Sequence, residues 1–255
     1  MAGRDDRYVY GITRSGAARK LPAAGIEGHS VATVEHGQLA ALVSEAPEGP
    51  VKANRRNLLA HTEVLQEVVS SVCVLPMQFG VVMPSEAAVA EDLLAAHEDA
   101  LGEQLAAFDD LVELDLKVTC PEDVLLRKVM SERPDLTELR DSLRGRPDDA
   151  TYFDRVRLGE LVAAAVEETR AALVKQTLGR LEPLAVETAV SDPTHEHMLV
   201  NVAFLVERAG VGAFDAQAEA LARDLGPDLR CKYVGPLPPF HFVETAAGLG
   251  SEAWA

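Results

Sequence analysis

The chain has 255 residues, a hydrophobic content of 47% and a formal net charge of −17 at pH 7. This length exceeds the roughly 100–200 residues of a usual single core, so it predicts two domains. A surface this acidic repels phosphate backbones, which argues against a nucleic-acid partner. No apolar run approaches the roughly 18–20 residues of a membrane helix, and the first residues lack the apolar core of a signal peptide. We therefore expect a cytoplasmic protein without a membrane partner.

The sequence contains no motif typical of an enzyme or of a cofactor site. Its three cysteines (Cys73, Cys120 and Cys231) form no C-x-x-C pair, so they predict neither a disulfide framework nor a zinc site. A Walker A loop, a G-x-G-x-x-G loop and a G-x-S-x-G motif are all missing from the sequence. We expect no catalytic residues, no cofactor and no metal ion.

The most ligand-like cluster is His195-Glu196-His197. Two histidines at positions i and i+2 of a strand share a face, and Asp192 is nearby in sequence. A metal site needs a third convergent ligand, and the sequence offers neither a helical H-E-x-x-H motif nor a cysteine partner. We therefore favour a polar surface cluster beside a turn.

The first half of the chain predicts a small sheet with helices. Residues 8–12 are a β-prone run that we expect to end near Gly11, and the runs 30–35 and 39–43 predict a hairpin. Apolar residues recur at helical spacing from about residue 54 to residue 70. The other predicted elements are two strands joined by a bend over 72–83, a helix capped by Ser85, and a helix over 96–108.

The second half alternates strands and helices. Residues 112–118 have a period of two, typical of a half-buried strand with Glu113 among its polar positions. We interpret the charged stretch 134–151 as a mobile connection. A long helix is predicted to follow this stretch and to run to about residue 181. The remaining predicted elements are helices over 120–133 and 214–225, and strands over 186–191, 198–206 and 229–234.

Without the insertion at 120–151, this order is β-α-β-β-α-β, the ferredoxin-like arrangement. We therefore predict an α+β protein with an N-terminal α+β domain over 1–109 and a ferredoxin-like C-terminal domain over 110–243. The C-terminal domain carries an inserted helical segment, and residues 244–255 are predicted to be a flexible tail.

Strand 198–206 has apolar residues on both of its faces. Val200, Val202 and Phe204 can face the helices, which turns Leu199, Ala203 and Leu205 toward the face that such a fold leaves open. Exposed apolar side chains in this number are unusual for a lone domain in water. We predict that the first domain or a partner covers them.

The segment 232–243 is rich in proline. Gly235 and Pro236 follow the last predicted strand, and proline has no N–H to donate to a sheet. We expect the chain to leave the sheet edge here as an extended, polyproline-like arm with Phe240 and Phe242 on one side. The arm either packs on its own domain as a strap or offers a docking surface.

Taken together, these segments resemble the GvpF/GvpL family of gas vesicle proteins along nearly the whole chain. The resemblance is carried by residues 8–12, 39–44, 60–61, 74–80, 157–160, 198–206 and 235–240. The family's closing motif often contains tryptophan and tyrosine, where this sequence has Leu237 and Phe240. The Pro-x-x-Phe-Gly bend and the Gly-Pro-x-Pro-Pro-aromatic ending, in this order, form a specific combination.

The resemblance implies a non-enzymatic accessory or minor structural protein of gas vesicles, the gas-filled protein shells that give buoyancy. It implies binding to the small hydrophobic main shell protein, with other gas vesicle accessory proteins as further partners, and help in vesicle assembly. It also implies an α/β N-terminal domain before a ferredoxin-like C-terminal domain, and a protein associated with gas vesicles in the cytoplasm.

Three surfaces are candidates for contact with the shell protein, and packing between the two domains is the alternative explanation for each. They comprise Pro76, Phe79 and Gly80 in the bend, Leu199 and Leu205 on the sheet face, and Gly235, Pro236, Pro238, Pro239 and Phe240 in the arm. Two other functions stay open. One is a regulatory module that senses a small molecule, and the other is an enzyme with a cleft between its domains.

Overall fold

The computed structural model of the chain describes residues 5–18 and 24–243, so the predicted tail, 244–255, lies outside the described residues. The described residues cluster into two compact units. The first contains the residues up to Leu114, Leu205–Ala209 and the residues from Val234 onward, and the second contains Asp115–Phe204 and Gly210–Tyr233. These units differ from the predicted limits, 1–109 and 110–243, because two C-terminal segments cluster with the first unit.

The first sheet is built around one central strand. Its strands are β1 (Arg7–Arg14), β2 (Ala32–His36), β3 (Leu39–Glu45), β4 (Leu75–Pro76) and β5 (Val82–Met83). They lie in the order β2-β3-β1-β4, with β5 also paired to β1, and every described pairing is antiparallel. The predicted hairpin of β2 and β3 and the strand–bend–strand over 72–83 are confirmed.

Strand β1 does not end near Gly11, as predicted, but continues to Arg14. Gly11 lies beside a shift of register with β3 and pairs with Pro76 of β4. A β-carbon at Gly11 would lie 2.7 Å from the carbonyl oxygen of Leu75. Glycine is therefore needed here for the close approach of β4, and it does not terminate the strand.

Two helices of the first unit begin at capping residues, and the sequence predicts the second of these caps, Ser85. Helix α1 (Arg55–Val69) starts after Asn54, whose side chain accepts a hydrogen bond from the backbone N–H of Asn57 at 2.9 Å. Ser85 caps helix α2 (Glu86–Ala88) in the same way. Helical backbone then continues through a π-helical turn, Val89–Leu94, and a 3₁₀ turn, Ala95–His97, into α3 (Glu98–Ala107).

These helices help to bury β1. Val9 and Ile12 belong to one apolar core with Val89, Leu94 and Leu105 from the helical stretch after Ser85. Tyr8 and Tyr10 point to α1 and are also fully buried. Strand β1 is thus buried on both faces, and its side chains are fixed by packing.

The second unit contains four α-helices in its described residues: α4 (Glu122–Glu132), α5 (Pro134–Leu143), α6 (Asp148–Leu181) and α7 (Val211–Leu225). The prediction of a mobile connection over 134–151 is wrong, because α5 and the first turn of α6 occupy this stretch. Proline suits the first position of a helix, and α5 buries Leu136 and Leu143 while packing against α6. None of the helices in the described ranges combines the length and apolar character needed to cross a membrane.

A second sheet has four strands: β6 (Leu111–Thr119), β7 (Glu187–Val190), β8 (Met198–Glu207) and β9 (Arg230–Leu237). Their order is β7-β8-β6-β9. In the second unit, Phe204 of β8 contacts Phe214 of α7 with ring centroids 5.1 Å apart, and Phe214 stacks on Tyr233 of β9 at 6.1 Å. The predicted mixture of helices and sheets is thus confirmed.

Both faces of β8 are buried. Leu199, Ala203 and Leu205, the residues assigned to the nominally open face, are each at most 3% exposed. The prediction that they are covered is confirmed, and the chain itself covers them. Apolar side chains on both sides of a strand are expected when both faces are packed.

Candidate protein interface

The predicted bend after β4 rests on a group of aromatic rings, which we call the aromatic cluster: Tyr8, Tyr10, His61 and Phe79. Tyr10 stacks on His61 with ring centroids 5.6 Å apart, and Tyr8 meets His61 edge-on at 5.7 Å. Phe79 lies 5.7 Å from His61 and 6.1 Å from Tyr8. The half-buried Phe79 is therefore held on a buried platform supplied by β1 and α1.

Hydrogen bonds fix the bend to β1. The backbone N–H of Gly80 donates to Tyr8 Oη at 3.1 Å, and Tyr8 Oη lies 2.8 Å from His61 Nδ1. Tyr10 Oη lies 2.9 Å from Ser44 Oγ and accepts from the N–H of Ile26 at 2.8 Å. When Nδ1 of the neutral imidazole carries no proton, the Tyr8 hydroxyl donates to it.

Burial shifts the pKa values of the cluster toward its neutral forms. It lowers the pKa of His61 from 6.5 to about 4, although a hydrogen bond with the Met77 backbone acts in the opposite direction. Burial also raises the pKa of Tyr8 and of Tyr10. All three side chains are therefore neutral near pH 7.

These shifts predict that acid weakens the first unit through His61. Because the folded-state pKa, about 4, lies below the ordinary value of 6.5, the unfolded chain binds a proton between these values that the folded chain does not. Stability is therefore constant above pH 6.5 on this account and falls as pH falls toward 4. Between pH 7 and pH 4.5, His61 should remove about 2 kcal/mol of stability.

The measurement is urea unfolding of the wild type and of His61→Gln at both pH values. The variant cannot titrate at this position, so it should lose about 2 kcal/mol less than the wild type over the same pH interval. An equal loss in the two proteins would contradict the assignment to His61.

The ten predicted interface residues differ in accessibility. Gly80, Gly235 and Pro236 are exposed, and Phe79 and Phe240 are half-buried. Pro76, Leu199, Leu205, Pro238 and Pro239 are buried. In this conformation, the accessible members lie in the bend and in the C-terminal segment.

The C-terminal segment is not the extended arm that the sequence predicts. Strand β9 continues through Gly235 and Pro236 to Leu237. It lies at the end of the sheet order, where a proline without an N–H is tolerated. The chain then turns, with the N–H of Phe240 donating to the carbonyl of Pro238 at 2.7 Å and that of Val243 to Pro239 at 3.0 Å.

A buried carboxylate holds this turn. Glu113 of β6 is fully buried and accepts from the backbone N–H of His241 at 2.8 Å. One of its oxygens also lies 2.8 Å from Nδ1 of the same histidine. The sequence pattern places Glu113 among the polar positions of a half-buried strand and gives no sign of a partner so far along the chain. These contacts favour the interpretation of residues 238–243 as a packed strap.

The structure also exposes an apolar group that the sequence analysis misses, which we call the α6 patch: Tyr152, Phe153 and Val156. Phe153 is 83% exposed and Tyr152 63%, and their ring centroids lie 5.4 Å apart. Val156 is spaced three and four residues from them, so all three lie close together on the helix surface. Large apolar side chains grouped in this way mark interaction sites on soluble proteins.

Comparisons with known proteins by sequence and by structure all lead to the same family. Residues 6–244 match the family model described as gas vesicle synthesis protein GvpL/GvpF. Gas vesicle protein F of Streptomyces sp. (strain CB03234) is 36% identical over 240 residues, which cover 93% of this chain and 99% of that protein. Gas vesicle protein F of Dolichospermum flosaquae is 26% identical over 239 residues, covering 93% and 97%.

Two solved structures share the fold. The crystal structure of GvpF from Anabaena sp. PCC7120 superposes with a TM-score of 0.76 at 25% identity, covering 92% of this chain and 97% of that one. GvpF from Microcystis aeruginosa gives the same TM-score and identity and covers 93% and 98%. The mixed helix-and-sheet architecture is common to all three. The chain belongs to the GvpL/GvpF family of gas vesicle synthesis proteins.

Proposed function

We propose that this protein is a non-enzymatic accessory or minor structural protein of gas vesicles that binds the main shell protein and assists vesicle assembly. Membership of the GvpL/GvpF family supports a role connected with gas vesicles. The observation that carries the binding step is the α6 patch, whose two aromatic rings are mostly exposed. Aromatic residues dominate the binding energy of protein interfaces, so Tyr152 and Phe153 are the proposed anchors.

The charge of the chain suits this task. A small hydrophobic shell protein aggregates through apolar surface, and a binder that covers this surface removes it from water. The net charge of −17 then opposes association between neighbouring complexes. In the proposed role, this protein keeps the shell protein soluble until the shell protein is incorporated into a vesicle.

The accessible residues of the predicted interface form a second candidate contact. Phe79 and Gly80 lie in the bend, where the aromatic cluster fixes their position, and Gly235, Pro236 and Phe240 lie in the C-terminal segment. The five buried residues of the predicted interface reach a partner only after the groups that cover them move. We therefore propose the α6 patch as the main contact with the shell protein and these positions as the second.

A comparison of three variants tests the proposal. We expect the double variant Tyr152→Ser/Phe153→Ser to lower the amount of co-purified shell protein about tenfold or more, since loss of an aromatic anchor costs at least about 2 kcal/mol. Val186→Ser is the matched control, because it removes a similarly exposed apolar side chain from another part of the second unit. The third variant, Phe79→Ser, tests whether the bend contacts the shell protein.

The outcomes separate the surfaces. Loss of binding only in the double variant assigns the contact to the α6 patch, and loss only in Phe79→Ser assigns it to the bend. Unchanged binding in all three variants, each verified as folded by circular dichroism, would contradict both assignments.

We further propose that the second predicted domain is ferredoxin-like. The element order supports this: β6, a helical segment, β7, β8, α7 and β9 follow the β-α-β-β-α-β pattern. Helices α4 and α5 precede α6 within the first crossover, in the position of the predicted insertion. On this view the two-domain organisation is that of an α+β domain followed by a ferredoxin-like domain.

A further inference from the structure

The geometry points to a binding site for a divalent transition-metal ion in the second unit, formed by Glu122, Glu196 and His197. One ligand atom from each of these side chains lies within 4.8 Å of the other two. An ion between them would therefore contact one imidazole nitrogen and two carboxylate oxygens. The sequence analysis expected no metal here because it found no third ligand, and helix α4 supplies it through Glu122.

The backbone around the three ligands is fixed by hydrogen bonds from neighbouring elements. The N–H of Cys120, two residues before Glu122, donates to the carbonyl of His197 at 2.9 Å. From α6, Arg170 donates to the carbonyls of Met198 at 3.1 Å and Glu196 at 3.3 Å. The start of α4 and the loop that carries the other two ligands are thus held side by side by hydrogen bonds within the protein, which lowers the cost of ordering them on binding.

The surroundings leave room for additional ligands. The three side chains line a groove of about 760 Å³ together with His195, Leu125 and Val162. The centroids of the His195 and His197 imidazole rings lie 6.0 Å apart, so a second histidine is near enough to serve as a further ligand. Three protein ligands with open positions are typical of zinc sites that also bind water or another molecule.

The donor set selects the class of ion. Imidazole nitrogen suits Zn²⁺, Co²⁺, Ni²⁺ and Cu²⁺, whereas Mg²⁺ and Ca²⁺ prefer sites made of oxygen atoms alone. Because two of the ligands are exposed carboxylates, the site is open to water. Zn²⁺ is the first ion to test, with Co²⁺ as its spectroscopic substitute.

The experiment is a titration of the full chain, purified without a histidine tag, with Zn²⁺ by calorimetry and with Co²⁺ by visible absorption. We expect one equivalent to bind with saturation. His197→Ala and Glu122→Gln should each weaken binding at least about tenfold, because even the loss of an outer-shell partner costs roughly 10- to 100-fold. His36→Ala removes a histidine from the first unit and should leave the affinity unchanged. Zn²⁺ should also raise the melting temperature of the wild type more than that of either ligand variant.

Two results would overturn the inference. One is the absence of saturable binding up to millimolar ion. The other is an equal affinity in the wild type, His197→Ala and Glu122→Gln, which would mean adventitious binding elsewhere on the acidic surface. The titration involves no shell protein, so its result is independent of the function proposed above.

Discussion

Gly11→Ala should lower the free energy of unfolding by about 3 kcal/mol, at the upper end of the usual cost of overpacking. The added β-carbon would lie 2.7 Å from the carbonyl oxygen of Leu75, 2.8 Å from Leu65 Cδ2 and 2.9 Å from Val74 Cγ2. Two of these contacts are with β4 and the residue before it, and the third is with α1. Since Gly11 lies in the central strand, the clash cannot be relieved by a surface side chain that swings away.

The measurement is urea unfolding at pH 7, with Gly102→Ala as the control. Gly102 lies in helix α3, and beyond the neighbouring residues and backbone of its own helix no heavy atom lies within 4 Å of the position of an added β-carbon. Alanine is favoured over glycine in a helix, so this control should be neutral or up to about 1 kcal/mol more stable. A Gly11→Ala protein as stable as the wild type would show that β4 does not approach β1 as described.

Glu113→Ala should destabilise the protein by about 3 kcal/mol, because removing one partner of a buried, hydrogen-bonded pair leaves the other partner unsatisfied. The substitution removes the carboxylate that accepts from the backbone N–H of His241 and contacts its imidazole. We choose the lower end of the expected range because the His241 side chain is 36% exposed and water can replace part of the interaction. The turn over 238–243 should also become more accessible to proteases.

A double-mutant cycle separates the interaction energy between Glu113 and His241 from the other effects of each substitution. If the side chains interact, the change in unfolding free energy of Glu113→Ala/His241→Ala should differ by about 1–2 kcal/mol from the sum of the changes in the two single variants. Glu207→Ala, an exposed carboxylate at the end of β8, serves as the control and should change stability by no more than about 0.5 kcal/mol. Additive effects in the cycle would contradict a direct interaction between Glu113 and His241.

Elements whose signals are local were predictable from the sequence. Asn54 and Ser85 cap helices through hydrogen bonds to residues three positions later, so each carries its own signature. Strand β8 follows from its continuous β-prone apolar run, and helix α7 follows from apolar residues at helical spacing. The burial of Phe214, Ala218 and Leu221 agrees with the prediction of α7. In these cases, propensity and packing favour the same structure.

Features that depend on distant contacts were not predictable. The stretch 134–151 is charged, and its helices are evident only once Leu136 and Leu143 pack against α6. Strand β9 continues through Pro236 because it lies at a sheet edge, which no local pattern reveals.

The contacts within the candidate sites also could not be predicted from the sequence. Glu113 meets His241, and Glu122 meets His197, across separations that the sequence cannot indicate. The α6 patch was missed because the apolar positions at helical spacing that indicate this helix begin only at Leu158.

Co-expression of this chain with the main gas vesicle shell protein alone is the sharpest test of the proposed binding. The measured quantity is the amount of shell protein in the soluble fraction that co-elutes with this chain in size-exclusion chromatography. We predict a soluble complex that is weakened by Tyr152→Ser/Phe153→Ser and retained in Val186→Ser. A shell protein that stays insoluble to the same extent with and without this chain, over a range of salt concentrations, would contradict the proposed binding.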